Sequence, residues 1–546
     1  MNDLKPMLFT TLKGYTKNQL IKDIIAGIIV AIIAMPLSIA LALASGVGPE
    51  EGLYTAIIAG FIISCLGGSK VQIAGPTAAF ATIVAGIVAR SGMSGLMLAT
   101  LMAGVILVIM GLFKFGNLIK YIPYTITTGF TAGIAVTILI GQLKDFFGLT
   151  YPQGTVTIET VEKIHAVAAN FGTVNIMAVV VGLVSLAVLI IWPKINKVIP
   201  GSLIAVIIGI VMVKCLGLKV NTIGDLYSVS SSLPKFRMPV FDFALTKSVL
   251  PDAFTIAILA GIESLLSCVV ADGMTNSKHR SNMELVAQGV GNMGSALFGG
   301  IPATGAIART AANIKNGGQT PVAGMVHAIV LLLVLIVLMP YAALIPMPTI
   351  AAILFTVAYN MCQWRPFVHL VKTAPKSDIF VLLLTFVLTV VFDLVIAIEV
   401  GMILACILFM KRMSDETGVR GWKYIEEERD DTSELRPVPK SVRIYEISGP
   451  LFFGAADRIA QISVKDYTKC LVLRMRSVPA IDSTAMNALA ELNEKCSKKG
   501  IQLVFSHVNE QPLNAMIKAG FRDRVGKENF CPNINSALER AAQIAE

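Results

Sequence analysis

The stretches AGPTAAF (Ala74–Phe80) and IPATGAIAR (Ile301–Arg309) decide how this chain is read. Both are apolar, and both are interrupted by glycine and proline where neighbouring apolar stretches run on unbroken. They occupy corresponding places in two halves of the hydrophobic part of the chain. Paired segments of this kind mark the substrate site of membrane transporters built from repeats.

The chain has 546 residues, of which 55% are hydrophobic and 15% charged. Its mean hydropathy is +0.73. Apolar runs of about 20 residues recur, each long enough to cross a bilayer. The run Ile24–Ala44 lacks a small-residue cleavage site and is read as a first span, not a signal peptide. The net charge of +10 arises almost wholly before residue 412: 25 Lys/Arg face 16 Asp/Glu there, against 20 and 19 afterwards. A basic excess in the membrane part sets orientation and gives no reason to expect nucleic acid. The eight cysteines form no CxxC, so neither disulfides nor structural zinc are expected. Cys65, Cys215, Cys268 and Cys406 read as small packing residues.

About fourteen spans are predicted. The first half holds 24–44, 53–66, 76–89, 96–113, 119–141, 174–192 and 202–216; the second holds 253–270, 284–298, 303–314, 322–339, 344–361, 379–393 and 395–410. The third and tenth are too short to cross as helices. Lys5, Lys13, Lys17, Lys22, Lys114, Lys120, Lys194, Lys197, Lys278, Arg280, Arg365, Lys372, Lys376, Lys411 and Arg412 fall on one side, which makes both termini cytoplasmic. Asp23 and Asp252 open corresponding spans, and Gly67-Gly68 and Gly299-Gly300 precede Pro76 and Pro302. Seven spans per half is odd, so the second half is expected upside down, as an inverted repeat.

The predicted organisation is a cytoplasmic N-terminus at 1–22, a membrane domain at 23–411, a segment at 412–440 and a second domain at 441–546. The third part carries Glu426–Glu428, Asp430–Asp431, Pro437 and Pro439 and is a linker or the rim of the domain after it. Strands are expected at 442–447, 470–475 and 501–506, and helices at 483–497, 512–518 and 535–544. That alternation describes an α/β domain.

Chemically, each broken segment is expected to enter the membrane extended and turn into a half-helix at its proline, where a missing N–H costs nothing. Pro76, Pro302, Ala303 and Thr304 then mark helix N-termini that converge near the midplane. Such ends carry partial positive charge and free N–H groups. Thr77 and Thr304 add hydroxyls, and Arg309 a full positive charge. Glu263 lies in the eighth span beside Ser264 and Ser267. It is a candidate proton carrier, sodium ligand or neutraliser of Arg309. The competing readings are Gly/Pro kinks in packed helices and an Arg309 that is paired structurally. His165, His279, His327, His369 and His507 show no metal or triad spacing, and no phosphate-binding loop occurs. No enzyme activity, cofactor or metal is expected.

These residues carry a family resemblance. Asp-Ile-Ile-Ala-Gly from Asp23 with Met-Pro-Leu-Ser-Ile-Ala from Met35 resembles the first span of the sulfate permease (SulP) family. Ile73–Thr77, Asp272–Asn282 and Pro302–Ile314 are similar to its third-span, eighth-loop and tenth-span motifs, and Ile-Asp-Ser-Thr-Ala from Ile481 to the core turn of a STAS domain. The resemblance implies a polytopic α-helical membrane protein with 14 transmembrane helices in a 7+7 inverted repeat of core and gate domains. A C-terminal cytoplasmic α/β STAS domain follows. It implies alternating access, a homodimer in the bacterial inner membrane, and sulfate, bicarbonate, chloride or a dicarboxylate as substrate. The family's pocket falls on Leu37, Leu41, Thr77, Glu263, Ala306, Ile307 and Arg309. Sodium-coupled bicarbonate members have an aspartate where this chain has Glu263, and threonines where it has Ser267 and Ile307. Loss of a hard oxygen ligand at Ile307 favours proton over sodium coupling. Thr484 matches the residue phosphorylated in regulatory STAS relatives, while Asp482 before it reads as a structural helix cap. The remaining alternatives are a sodium-coupled bicarbonate symporter, a nucleobase–proton symporter of the same fold, and a receptor that senses an anion and signals through STAS.

Overall fold

In the computed structural model, residues 4–117, 123–152, 155, 157, 159–196, 199–239, 242–392, 394–421 and 438–546 are described. Lys120, Lys197, Asp393 and the acidic part of the expected linker, 422–437, lie outside them. The chain divides into two units, Met1–Met402 and Ile403–Glu546.

The main elements of the first unit are α1 (Lys17–Ala44), α2 (Pro49–Leu66), β1 (Ala74–Gly75), α3 (Ala81–Leu112), α4 (Tyr124–Gly141), α5 (Ile176–Ile195), α6 (Gly201–Leu216), α7 (Phe243–Thr275), α8 (Ser281–Leu297), β2 (Thr304–Gly305), α9 (Ile307–Lys315), α10 (Val322–Ala342), α11 (Met347–Cys362) and α12 (Lys376–Val391), with α13 (Leu394–Glu416) running past its end. Among the described residues, seven helical stretches are long and apolar enough to cross a membrane. Thr16 and Gln19 close a capping box on α1, Asn175 caps α5 and Asp242 caps α7, so polar residues set where these apolar helices begin.

Several boundaries differ from the sequence reading. The expected third and fourth spans are two helical stretches within α3 that meet at Gly92, whose φ of 65° and ψ of −172° lie outside the helical region, and the first of them starts at Ala81 and not at residue 76. A positive φ is cheap for glycine, so one helix ends there and the next begins without a loop between them. Asp23 and Asp252 do not open spans: both lie inside helices that start earlier, α1 at Lys17 and α7 at Phe243. Asp23 is fully buried, and its carboxylate accepts from Gln319 N at 2.7 Å, Thr320 N at 3.2 Å and Tyr15 Oη at 2.8 Å. Cys215 and Cys406 are exposed on their helices and do not pack in a core.

One close seam in this unit joins α3 to α8. A Cβ on Gly104 would come within 2.7 Å of Gly289 O, and one on Gly289 within 2.5 Å of Gly104 O. Only glycine lets the two backbones touch, which is how helices associate where apolar burial gives no preference.

In the second unit β3 (Gly418–Gly421), β4 (Val442–Ser448), β5 (Cys470–Ser477), β6 (Gln502–Ser506) and β7 (Phe530–Cys531) form one sheet in that order. β3 is antiparallel to β4, and the rest are parallel. Helices α14 (Ser483–Lys498) and α15 (Glu510–Lys518) cover one face, where Leu471, Leu473, Phe505, Leu489 and Met516 share a core. Helix α16 (Ile534–Ala545) covers the other, with Cys470, Val472, Val504, Ala537 and Ala541. Alternate β5 residues serve opposite cores, so its first four residues, Cys470–Leu473, are all apolar and buried. The first described part of the expected linker, 412–421, holds the end of α13 and the edge strand β3. β3 was missed because four residues of GVRG carry too little pattern to read.

Candidate functional site

The two broken segments meet as strands. β1 pairs antiparallel with β2, Ala74 opposite Gly305 and Gly75 opposite Thr304. Ala306 N extends the pairing by donating to Ile73 O at 2.9 Å. After β1 the chain passes through Pro76 and Thr77 into a 3-10 turn at Ala78–Phe80 and then α3; after β2 it passes through Ala306 into α9. The helix ends are therefore not at the prolines. Pro302, Ala303 and Thr304 lie in extended chain before α9, and Pro76 precedes the 3-10 turn by two residues. Pairing between segments claims the backbone groups that a helix starting at proline would use. The first-turn N–H groups of α9, at Ile307, Ala308 and Arg309, have no intrahelical acceptor.

The candidate side chains gather around this junction. Arg309 is 3% exposed and donates from Nη2 to Pro76 O at 2.6 Å, which ties the tenth-span segment to the third. Its Nη1 is buried and has no partner among the described residues. Gly75 makes room for it: a Cβ there would stand 2.4 Å from Nη1. Thr77 Oγ1 donates to Glu263 Oε2 at 2.9 Å. Thr304 Oγ1 turns away and donates to Ala260 O at 2.9 Å. Ser267 Oγ donates to Thr310 Oγ1 at 3.3 Å, whose oxygen also accepts from Ile73 N at 3.0 Å. Ser267 and Thr304 are thus occupied in holding the strands. Leu41 is buried and Leu37 half-buried on α1, which packs against α3 and α9. Glu263 and Ile307 are half-buried, Ala306 is buried and Ala308 is exposed, so the junction opens at the first turn of α9.

Behind it lies a polar scaffold that sequence reasoning missed. Glu284 on α8 is fully buried, and its carboxylate accepts from Gly68 N at 2.9 Å, Gln72 Nε2 at 2.9 Å, Ser264 Oγ at 3.1 Å and Gln288 Nε2 at 2.8 Å. Two turns on, Asn292 clamps Ala303 through both backbone groups, Nδ2 to O at 2.9 Å and N to Oδ1 at 2.8 Å. Glu284, Gln288 and Asn292 recur every four residues, a polar stripe in an apolar helix. That spacing was the available signal.

In the second unit Asp482 caps α14, accepting from Ala485 N at 2.9 Å and, through its other oxygen, from Phe453 N at 2.8 Å. Thr484 is exposed in the first turn.

The family model for the sulfate permease family matches residues 20–385, and that for the STAS domain matches 436–537. The chain belongs to the sulfate permease family. It is 41% identical over 527 residues to YvdB of Bacillus subtilis, provisionally named a sulfate transporter, with 95% of this chain and 97% of YvdB covered. It is 31% identical over 541 residues to the bicarbonate transporter BicA of Picosynechococcus sp., covering 95% and 94%. Among solved structures, the overall structure of SLC26A9 superposes with a TM-score of 0.87 at 20% identity, over 99% of this chain and 93% of that one. This is a likeness of fold. The transmembrane domain of a cyanobacterial BicA superposes with a TM-score of 0.63 at 29% identity, over 72% and 98%. This sulfate permease family member is thus a multi-pass membrane protein with a C-terminal STAS domain, and its named relatives are transporters, not enzymes.

Proposed function

We propose that this chain is a secondary active transporter of a small oxyanion, of the sulfate, bicarbonate or dicarboxylate class, in the bacterial inner membrane. The observation that carries this reading is the buried Arg309 guanidinium. It is held by one amino group on Pro76, and its other has no partner among the described residues, at a junction where two helices begin. A fixed cation beside free N–H groups suits an anion and gives nothing to an uncharged base. Thr77, Ala306 and Ile307 complete the site, with Leu37 and Leu41 as its apolar wall. The names of YvdB and BicA support the anion class.

Coupling is assigned to protons, carried by Glu263. Its carboxylate shares a hydrogen bond with Thr77, so a change in its charge reaches the site directly. Ser267 is committed to Thr310, and Ile307 offers no oxygen, which leaves a sodium ion poorly served. Alternating access in a homodimer is the mechanism the family fold supports, with the seven-plus-seven repeat as its frame. Thr484 is proposed as a structural first-turn residue of α14 before a phosphorylation site.

Uptake of labelled sulfate, bicarbonate and succinate into proteoliposomes, under an imposed proton or sodium gradient, tests both parts. Arg309→Ala should lower anion affinity about tenfold or more while the protein stays folded. Unchanged affinity would sink the site, and uptake that follows sodium and ignores pH would sink the coupling.

A further inference from the structure

Two buried residues flank the Ala74–Gly75 strand with side-chain nitrogens that none of the described residues satisfies. His327 on α10 is fully buried, and neither Nδ1 nor Nε2 has a partner among the described residues. Arg309 Nη1 is in the same condition. Helix α2 shows how they are placed. A Cβ on Gly60 would stand 4.0 Å from His327 Nδ1 and 3.2 Å from Ala74 O. A Cβ on Gly75 would stand 2.4 Å from Arg309 Nη1 and 3.6 Å from Ala56 Cβ. Ala56 and Gly60 are one turn apart on one face of α2, about 6 Å along its axis. Ring and guanidinium therefore face neighbouring turns of α2 on either side of the strand, with the Ala74 carbonyl on the side of the ring. Ala59, Ile63 and Ala74 form an apolar cluster alongside.

Buried polar nitrogens are costly without partners, and the hydrogen-bond roles here are complementary. An arginine nitrogen only donates. A neutral imidazole donates from one nitrogen and accepts at the other. Water joins them by accepting from Nη1 and donating to the imidazole lone pair, while the ring N–H serves a second water or the Ala74 carbonyl. Each site water then has the two or more polar partners that internal water needs.

We propose that the space between ring and guanidinium is a built hydration site, and that His327 acts through its water as a positioning residue for Arg309. Nη2 is fixed to Pro76 from one side and Nη1 by water from behind. The guanidinium plane is set, and an N–H of each amino group is left for the anion. The second half of this proposal rests on Arg309 being the anion ligand; the hydration site itself does not.

The test uses the full-length protein in lipid nanodiscs and proteoliposomes, with sulfate as probe, or bicarbonate where sulfate is not carried. His327→Leu removes both nitrogens at similar volume, and His327→Gln keeps a donor and an acceptor. His327→Leu should raise KM about tenfold with little change in kcat, and His327→Gln should return KM to within about twofold of the parent. A high-resolution map of the parent should show ordered water between the ring and Nη1, lost in His327→Leu. A His327→Leu protein with parental KM, or a glutamine variant as impaired as the leucine one, overturns the positioning role. A map with His327 bonded directly to protein and no water overturns the hydration site, and decides the matter if the leucine variant does not fold. Arg309→Ala run alongside separates the two readings: retained affinity there removes the anion site while the map still judges the water.

Discussion

Arg309 and Gly75 work as a pair. The guanidinium reaches Pro76 only because the strand beside it has no side chain at position 75. Gly75→Ala should therefore displace Nη1 without disturbing the helices, since the added methyl meets the movable end of a long side chain. Anion affinity is expected to fall about tenfold, with thermal unfolding within a few degrees of the parent. A parental KM would show that the guanidinium does not need its present seat. At this scale the sequence was legible in kind and less so in arrangement. Arg309, Thr77 and Glu263 stood out because charge and hydroxyls are rare in apolar spans. The roles of Ser267 and Thr304 did not, because a hydroxyl facing a substrate and one tying down backbone are the same letters. The strand contacts decide between them.

Helix α8 holds the second segment through Asn292, whose amide satisfies both backbone groups of the fully buried Ala303. Asn292→Ala leaves a buried N–H and a buried C=O unpaired and should destabilise the protein by about 2–5 kcal/mol. Thermal unfolding in detergent checks this; a melting temperature equal to the parent's would mean that other groups take over. The element boundaries show where sequence patterns stop. Spans with unbroken apolar runs were readable because length and hydropathy suffice. The junction was not, because the prolines that suggested helix starts sit in chain that pairs with the other segment. Pairing between residues roughly 230 apart leaves no local trace. The same limit hid β3, whose four residues gain their strand character from β4. A fragment covering 412–546 should accordingly melt several degrees above one covering 438–546, because the shorter one exposes the edge of β4. Equal melting temperatures would make β3 an ornament of the sheet.

For the whole molecule, the two units follow different rules of burial. The sheet of the second unit is covered on both faces. The first unit leaves Ile176, Ile190, Ile191, Leu333, Val337 and Phe380 exposed on long helices, a surface suited to lipid and not to water. Composition alone foretold that contrast, since the charge per residue changes abruptly after residue 411. The strand pair within the first unit carries a wider consequence. Its bonds join backbone groups and do not depend on the side chains of the paired residues themselves, so the strand pair holds a gauge between the starts of α3 and α9. Descendants of one ancestor can exchange the residues lining that gauge and keep its width. If the proposed anion site is this gauge, relatives named for sulfate and for bicarbonate would share its jaws and differ in their lining.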